Sequence, residues 1–170
     1  MTHRPVPAAL AADVVAIDHV GVATADLDAT IAFYRNAFGL TEVHREENPD
    51  QQVVEVMLAP ADHETADHGG AGSTMIQILA PLSDQSTIAK FLDRSGPGLQ
   101  QLALRVRDLA AASDRLREQG LRLIYDEPRT GTGGCTINFV HPKDAGGVLI
   151  ELVEPAVATT PPSVEKSVER

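Results

Sequence analysis

Residues 16–23, AIDHVGVA, and residues 98–106, GLQQLALRV, decide the fold. Each is an apolar, strand-like run interrupted by a polar side chain near its middle, His19 in the first and Gln101 in the second. The stretches that follow also match in kind: TADLDATIAFYRNAFGL after His19 and RDLAAASDRLREQGL after Gln101. Asp26-Leu27 falls on Asp108-Leu109, and Gly39-Leu40 falls nearly on Gly120-Leu121. Further on, each half has another apolar strand with one polar centre, Gln77 in TMIQILAP and Glu151 in VLIELVEP. This is an internal repeat, so the fold is built from two copies of one unit. Four donors, two from each copy, are placed to meet between the copies as metal ligands do.

The period of the apolar residues supplies the elements. Strands are expected over residues 14–23, 41–46, 52–59 and 73–80, with a helix over 27–38 capped by Asp26 and ended by Gly39. The apolar stripe of that helix reads Leu27, Ile31 and Tyr34/Phe38. A short helix near 84–94 joins the halves. The second half repeats the order: strand 99–106, helix 109–119, then strands 122–126, 136–141 and 148–153. The expected class is α+β, with two tandem βαβββ modules curving around a cleft. The organisation follows: a flexible lead at 1–13, a first module at 14–82, a connector at 83–97, a second module at 98–155 and a disordered tail at 156–170.

Composition narrows the function. The chain has 170 residues, of which 43% are apolar and 4% aromatic, so the core rests on Val, Ile, Leu and Ala. No apolar run is long enough to span a bilayer, and the first residues lack the pattern of a secretory signal. One cysteine, Cys135, excludes an internal disulfide and suits a reducing cytoplasm. A net charge of −10 argues against nucleic acid as a partner. A small anion remains compatible through a local basic cluster, for which Lys90, Arg94, Arg105, Arg107, Arg122, Arg129 and Lys143 are candidates.

His19 alone in an apolar strand is most simply a satisfied core histidine. Glu151 is more telling, because a buried carboxylate between Leu149, Ile150, Leu152 and Val153 needs a facing cation or donor. The joint placement of His19, Gln77, Gln101 and Glu151 carries the metal reading, since one ion offsets the burial penalty of all four. Glu55 alternates onto the same strand face as Val53 and Met57. As an extra carboxylate beside four ligands, it has the makings of a general base. A surface glutamate on an edge strand is the competing reading of Glu55.

With these residues in place, the chain resembles the methylmalonyl-CoA epimerases of the vicinal oxygen chelate (glyoxalase/bleomycin-resistance) superfamily. The stretches that carry the resemblance are IDHVGVATADLDATIAFYRNAFG, HREENPDQQVVEVMLAPA, IQILAPLSDQSTIAKFL, RVRDLAAASDRLREQGLRLIYDEPRTGTGG and INFVHPKDAGGVLIELVEP. EENPDQQVVEVM, YDEPRTGTGG and HPKDAGGVLIELVE are the parts most specific to the epimerase branch. The resemblance implies a homodimer of paired βαβββ modules acting on an acyl-CoA. It implies one divalent metal ion (cobalt, manganese, magnesium or zinc) held at His19, Gln77, Gln101 and Glu151. It places the catalytic carboxylates at Glu55 and Glu151. One position departs: the family commonly reads GxHHxA where this chain reads GLQQLA. An amide carbonyl at Gln101 is a harder, weaker donor than imidazole, which tilts the site toward magnesium or manganese.

The expected reaction is epimerisation at C2 of methylmalonyl-CoA through an enolate, with Glu55 removing the proton and Glu151 returning it on the other face. A glyoxalase I-type lyase and a non-catalytic bleomycin-resistance-like binding protein are the alternatives. An extradiol dioxygenase needs two histidines and one carboxylate on iron, and only His19 stands among the four positions. His44, His63, His68 and His141 fall outside the repeat-related set.

Overall fold

Two aspartates start the two equivalent helices. Asp26 accepts a hydrogen bond from the Ala29 N–H at 3.0 Å and opens α1, Leu27–Phe38. Asp108 does the same for Ala111 at 2.8 Å and opens α3, Leu109–Glu118. Each cap satisfies an N–H that the first helical turn leaves unpaired. Gly39 closes α1 with φ at 71°, a left-handed turn that favours a residue without Cβ.

The structure is a computed structural model that describes residues 13–61 and 74–156. The lead before residue 13, the tail from 157, and the loop at 62–73 with His63 and His68 lie outside the described residues. The first module runs β1 (Val14–Ala23), α1, β2 (Leu40–Asn48), β3 (Val53–Pro60) and β4 (Met75–Pro81). After α2 (Thr87–Ser95) come β5 (Gly98–Val106), α3, β6 (Arg129–Thr130), β7 (Thr136–Val140) and β8 (Leu149–Glu154).

Among the described residues, eight strands form one mixed sheet in the order β2-β3-β4-β1-β5-β8-β7-β6. In each module the first strand pairs parallel with the last, β1 with β4 and β5 with β8. The modules join through the antiparallel β1–β5 pair, so the order reads the same from either edge. This is the tandem βαβββ arrangement that the repeat implies. One face buries two matching clusters under the helices. Ile31 of α1 packs on Val56, Leu58 and Ile78, and Leu109, Ala112 and Leu116 of α3 pack on Val140 and Leu152. Each fully buried aliphatic side chain contributes roughly 1.5–3 kcal/mol. Among the described residues, no helix is long and apolar enough to cross a membrane.

Two expectations fail. Phe38 does not join the buried stripe of α1: it is 63% exposed and meets Phe33 and Tyr34 ring to ring. The helix ends there at Gly39, and the stripe is Leu27, Ile31 and Tyr34. Residues 122–126 are not a strand. Leu123 makes one isolated bridge to Val140, and the chain then turns away. The fully buried Asn138 side chain takes both backbone groups of Tyr125, at 3.2 and 3.0 Å, in place of a ladder. Pro128, without an N–H, separates this stretch from the two-residue β6.

Candidate active site

The register of the central strands places the polar centres. One row across the sheet reads Gln77, Gly21, Gln101 and Leu149 on β4, β1, β5 and β8. The next reads Met75, His19, Ala103 and Glu151 on the same strands. Reversing one row gives the other: Gln77 answers Glu151, and Gln101 answers His19. The small residue Gly21 sits where the long side chain of Gln101 must pass. A Cβ on Gly21 would lie 2.6 Å from Gln101 Cγ. The glycine therefore makes room for the Gln101 side chain to cross β1.

Two of the three register shifts between β1 and β5 complete the pattern. The β1–β5 register shifts between Ile17 and His19, which inserts Asp18, and again opposite residues 99–101, which inserts Gln100. A bulge lets consecutive residues escape strict alternation and re-aims side chains. Asp18 and His19 are accordingly both buried. Asp18 Oδ1 lies 2.9 Å from His19 Nδ1, and its Oδ2 accepts from Arg105 Nε at 2.6 Å. This fixes the ring so that Nε2 faces inward, 3.1 Å from Glu151 Oε2.

All five residues singled out from the sequence are buried and belong to one hydrogen-bond chain. From His19 and Glu151 it continues through Gln101 Nε2, which donates to Glu151 Oε2 at 2.5 Å and to Gln77 Oε1 at 3.2 Å. Gln77 Nε2 donates to Glu55 Oε2 at 2.9 Å. Glu55 also accepts from the hydroxyl of Thr132, in the loop between β6 and β7. Glu55, Gln77, Gln101, Thr132 and Glu151 line a cleft of about 270 Å³. Asp18 and Thr132 were not singled out from the sequence. Asp18 stands next to His19, on the opposite parity of its strand, and only the bulge turns it inward. Thr132 lay in a Gly- and Thr-rich loop whose path local pattern does not specify.

The electrostatics follow from burial and neighbours. Burial opposes charge on His19, but the hydrogen bonds to Asp18 and Glu151 outweigh it and push its pKa up to about 9. Burial raises the Glu55 carboxyl above the usual carboxylate range; the Thr132 hydroxyl works against this, and the charges of Glu151 and Glu46 add to it. Burial also acts to raise Asp18, but His19 and Arg105 hold it below its ordinary value. Of the basic residues considered for an anion, Arg105 is committed to Asp18 inside the protein. Arg122 forms a forked pair with Asp144, and Arg129 stacks 4.3 Å from the Tyr125 ring centre.

The donor set fits a divalent cation. It offers one imidazole nitrogen, one carboxylate and two side-chain amides, each of which presents a carbonyl oxygen when its terminus is turned by 180°. Among the described residues, no three of His, Cys, Asp and Glu converge, so the set depends on Gln77 and Gln101. Chemically the cleft pairs a buried carboxylate of raised pKa with a second carboxylate beside a cation-binding group. That combination suits removal and return of a proton on carbon next to a carbonyl.

Comparison with known proteins agrees with this geometry. Residues 18–139 match the family model for the Glyoxalase/Bleomycin resistance protein/Dioxygenase superfamily. The chain is 35% identical over 138 residues to the ethylmalonyl-CoA/methylmalonyl-CoA epimerase of Cereibacter sphaeroides, covering 80% of this chain and 95% of that one. It superposes on the crystal structure of methylmalonyl-CoA epimerase from Mycobacterium tuberculosis with a TM-score of 0.75 and 55% identity, over 84% of this chain and 89% of that chain. A methylmalonyl-CoA epimerase in complex with methylmalonyl-CoA and NH4+ gives a TM-score of 0.77 and 40% identity, over 87% of this chain and 99% of that chain. The chain therefore belongs to the methylmalonyl-CoA epimerase family, within the glyoxalase/bleomycin resistance protein/dioxygenase superfamily.

Proposed function

We propose that this protein interconverts the R and S epimers of methylmalonyl-CoA by proton exchange at C2, with Glu55 and Glu151 as the two proton-transfer groups. One observation carries the reading. Glu55 on β3 and Glu151 on β8 lie on strands separated by β4, β1 and β5, yet both line one cleft and share one hydrogen-bond network. Two carboxylates approaching a carbon from different strands are what inversion needs. One takes the proton and the other returns it, with roles exchanged in the reverse direction.

Burial of Glu55 favours this chemistry, because it strengthens the carboxylate as a base. His19, Gln77, Gln101 and Glu151 would hold the divalent ion. When bound, the ion supplies Lewis-acid polarisation of the thioester carbonyl and so stabilises charge that develops on its oxygen. The chain's own groups do the rest. Asp18 and Arg105 fix the His19 ring. Gly21 lets Gln101 reach across β1. Apolar walls from Val53, Leu79, Ile137 and Leu149 keep water from the reacting carbon. Three oxygen donors to one nitrogen favour magnesium or manganese relative to zinc or cobalt. The named relatives carry the epimerase reading over the glyoxalase I-type lyase and the ligand-sequestering protein. The reading includes a homodimer, in line with the family resemblance, and sedimentation tests it.

The deciding experiment offers one pure epimer of methylmalonyl-CoA in deuterated water to chelator-treated protein, then adds back magnesium, manganese, cobalt or zinc. Formation of the opposite epimer with deuterium at C2 is expected. Absence of both with every ion rejects the proposal.

A further inference from the structure

Residues 129–134, RTGTGG, belong to a motif that points to the epimerases without an assigned task. The structure shows what this segment touches. It leaves the second module at β6 and crosses to the first. There it meets both members of one cross-strand pair, Glu46 on β2 and Glu55 on β3. The Gly133 N–H donates to Glu46 Oε2 at 3.0 Å, and the Thr132 hydroxyl donates to Glu55 Oε2. Glu46 Oε2 also lies 2.7 Å from His44 Nε2. The path needs glycine at three points. Gly133 and Gly134 have φ of 65° and 76°, and a Cβ on Gly131 would lie 2.7 Å from Ile137 Cγ2.

The hydrogen bonds on Glu55 are one-sided. Thr132 and Gln77 both donate to Oε2, and Gln77 Nε2 lies 3.2 Å from the Thr132 hydroxyl as well. Among the described residues, no donor is directed at Oε1. One carboxylate oxygen is thus held from two sides and the other is left for the cleft.

We infer that Thr132 is a positioning residue for Glu55: its hydroxyl anchors Oε2 so that Oε1 is the oxygen that takes the C2 proton. The inference rests on the epimerase reading. In the step, the C2–H bond breaks, an O–H bond forms at Oε1, and the electron pair stays on the substrate as its enolate. Thr132 keeps its own proton. Its contribution is orientation, which matters because a small misplacement of a reacting group can lower a rate by about two orders of magnitude.

Thr132→Val keeps the shape and deletes the hydroxyl. Its kcat should fall at least about tenfold while KM stays within about threefold, since the substrate's own contacts are untouched. Thr132→Ser retains the hydroxyl and should recover most of the rate. A packing role would not discriminate serine from valine in this direction. Thr132→Ala, which removes bulk as well, should behave as valine does and serves as the second variant if valine disturbs the loop. A smaller fall in kcat, a loss confined to KM, or a serine variant no better than valine overturns the inference. Wild-type protein assayed alongside separates the two questions: if it exchanges no C2 proton, the epimerase reading fails. If it does and the variants do not differ, only the role of Thr132 fails.

Discussion

β3 and β7 occupy equivalent places in the two modules, yet β3 carries Glu55 where β7 carries Ile137. The register gives the equivalence: Glu55 faces Leu79, two residues beyond Gln77, and Ile137 faces Val153, two residues beyond Glu151. Similar splits occur nearby. The bulge residue before His19 is Asp18, bonded to the ring and to Arg105. The bulge residue before Gln101 is Gln100, whose Oε1 is buried with no partner among the described residues. β2 has nine residues and covers its edge, whereas β6 has two and releases the loop that reaches Glu55. The backbone symmetry makes the central donor set, and side-chain asymmetry around it puts a carboxylate, Glu55, on the β3 wall of the cleft and an aliphatic side chain, Ile137, at the equivalent place on β7. A symmetric protein could bind a cation equally well, but it would have no reason to place its base on one wall.

Paired substitutions at equivalent positions test this contrast. Glu55→Gln should lower kcat by at least about 100-fold, the usual contribution of a general base. Ile137→Val should leave kcat near the parent value and cost about 1 kcal/mol of stability. Comparable rates for the two variants would break the asymmetry argument. Asp18→Asn should cost about 3–5 kcal/mol in urea unfolding, because it removes the carboxylate charge that faces the buried Arg105 guanidinium. Gln100→Ala should change stability by less than about 0.5 kcal/mol, since no bond to its Oε1 is lost.

A pH series on metal-free protein sharpens the Asp18–His19 side of the comparison. The folded His19 pKa, about 9, stands above its ordinary 6.5. Its protonated form therefore adds stability that is complete below 6.5 and lost as pH rises through about 9. Asp18 has the opposite sign: its pKa is depressed, so its contribution is present above the ordinary 3.8 and lost as pH falls through the lower folded value. The urea midpoint should decline on the alkaline side, and His19→Gln should flatten that decline. An unchanged slope would show that the ring is not charged in the folded protein. The smallest effects belong where the modules are alike. Asp26→Ala and Asp108→Ala should each cost about 1 kcal/mol, as equivalent helix caps. A gap much beyond that value would mean the helices are not equivalent in energy.

Much of this was legible in the chain. His19, Gln77, Glu55, Gln101 and Glu151 each interrupt an apolar strand, and burial of such a group demands a partner, so local pattern pointed inward correctly. The helix starts were legible because an N-cap acts within three residues. The failures share a cause. Residues 122–126 look like a strand, but after the Leu123 bridge the distant Asn138 side chain takes both backbone groups of Tyr125 and ends the ladder. Phe38 fits a helical stripe, but the stripe runs out where the helix leaves the sheet. Asp18 is on the wrong parity of its strand until a bulge shifts it. Thr132 lies 77 residues from Glu55, and nothing within its loop names that partner.

What the amino-acid order determined alone was the repeat, the capped helices and the identity of the five strand-centre polar groups, His19, Glu55, Gln77, Gln101 and Glu151. These depend on interactions within a few residues and on the free energy of removing each side chain from water. What only the tertiary structure decided was who meets whom. Two bulges aim Asp18 and Gln100, Gly21 lets Gln101 cross β1, and a glycine-rich loop carries Thr132 across to Glu55. Those outcomes depend on pairing register and on contacts between chain segments far apart in sequence, and a one-residue slip in register would have pointed every one of these side chains elsewhere.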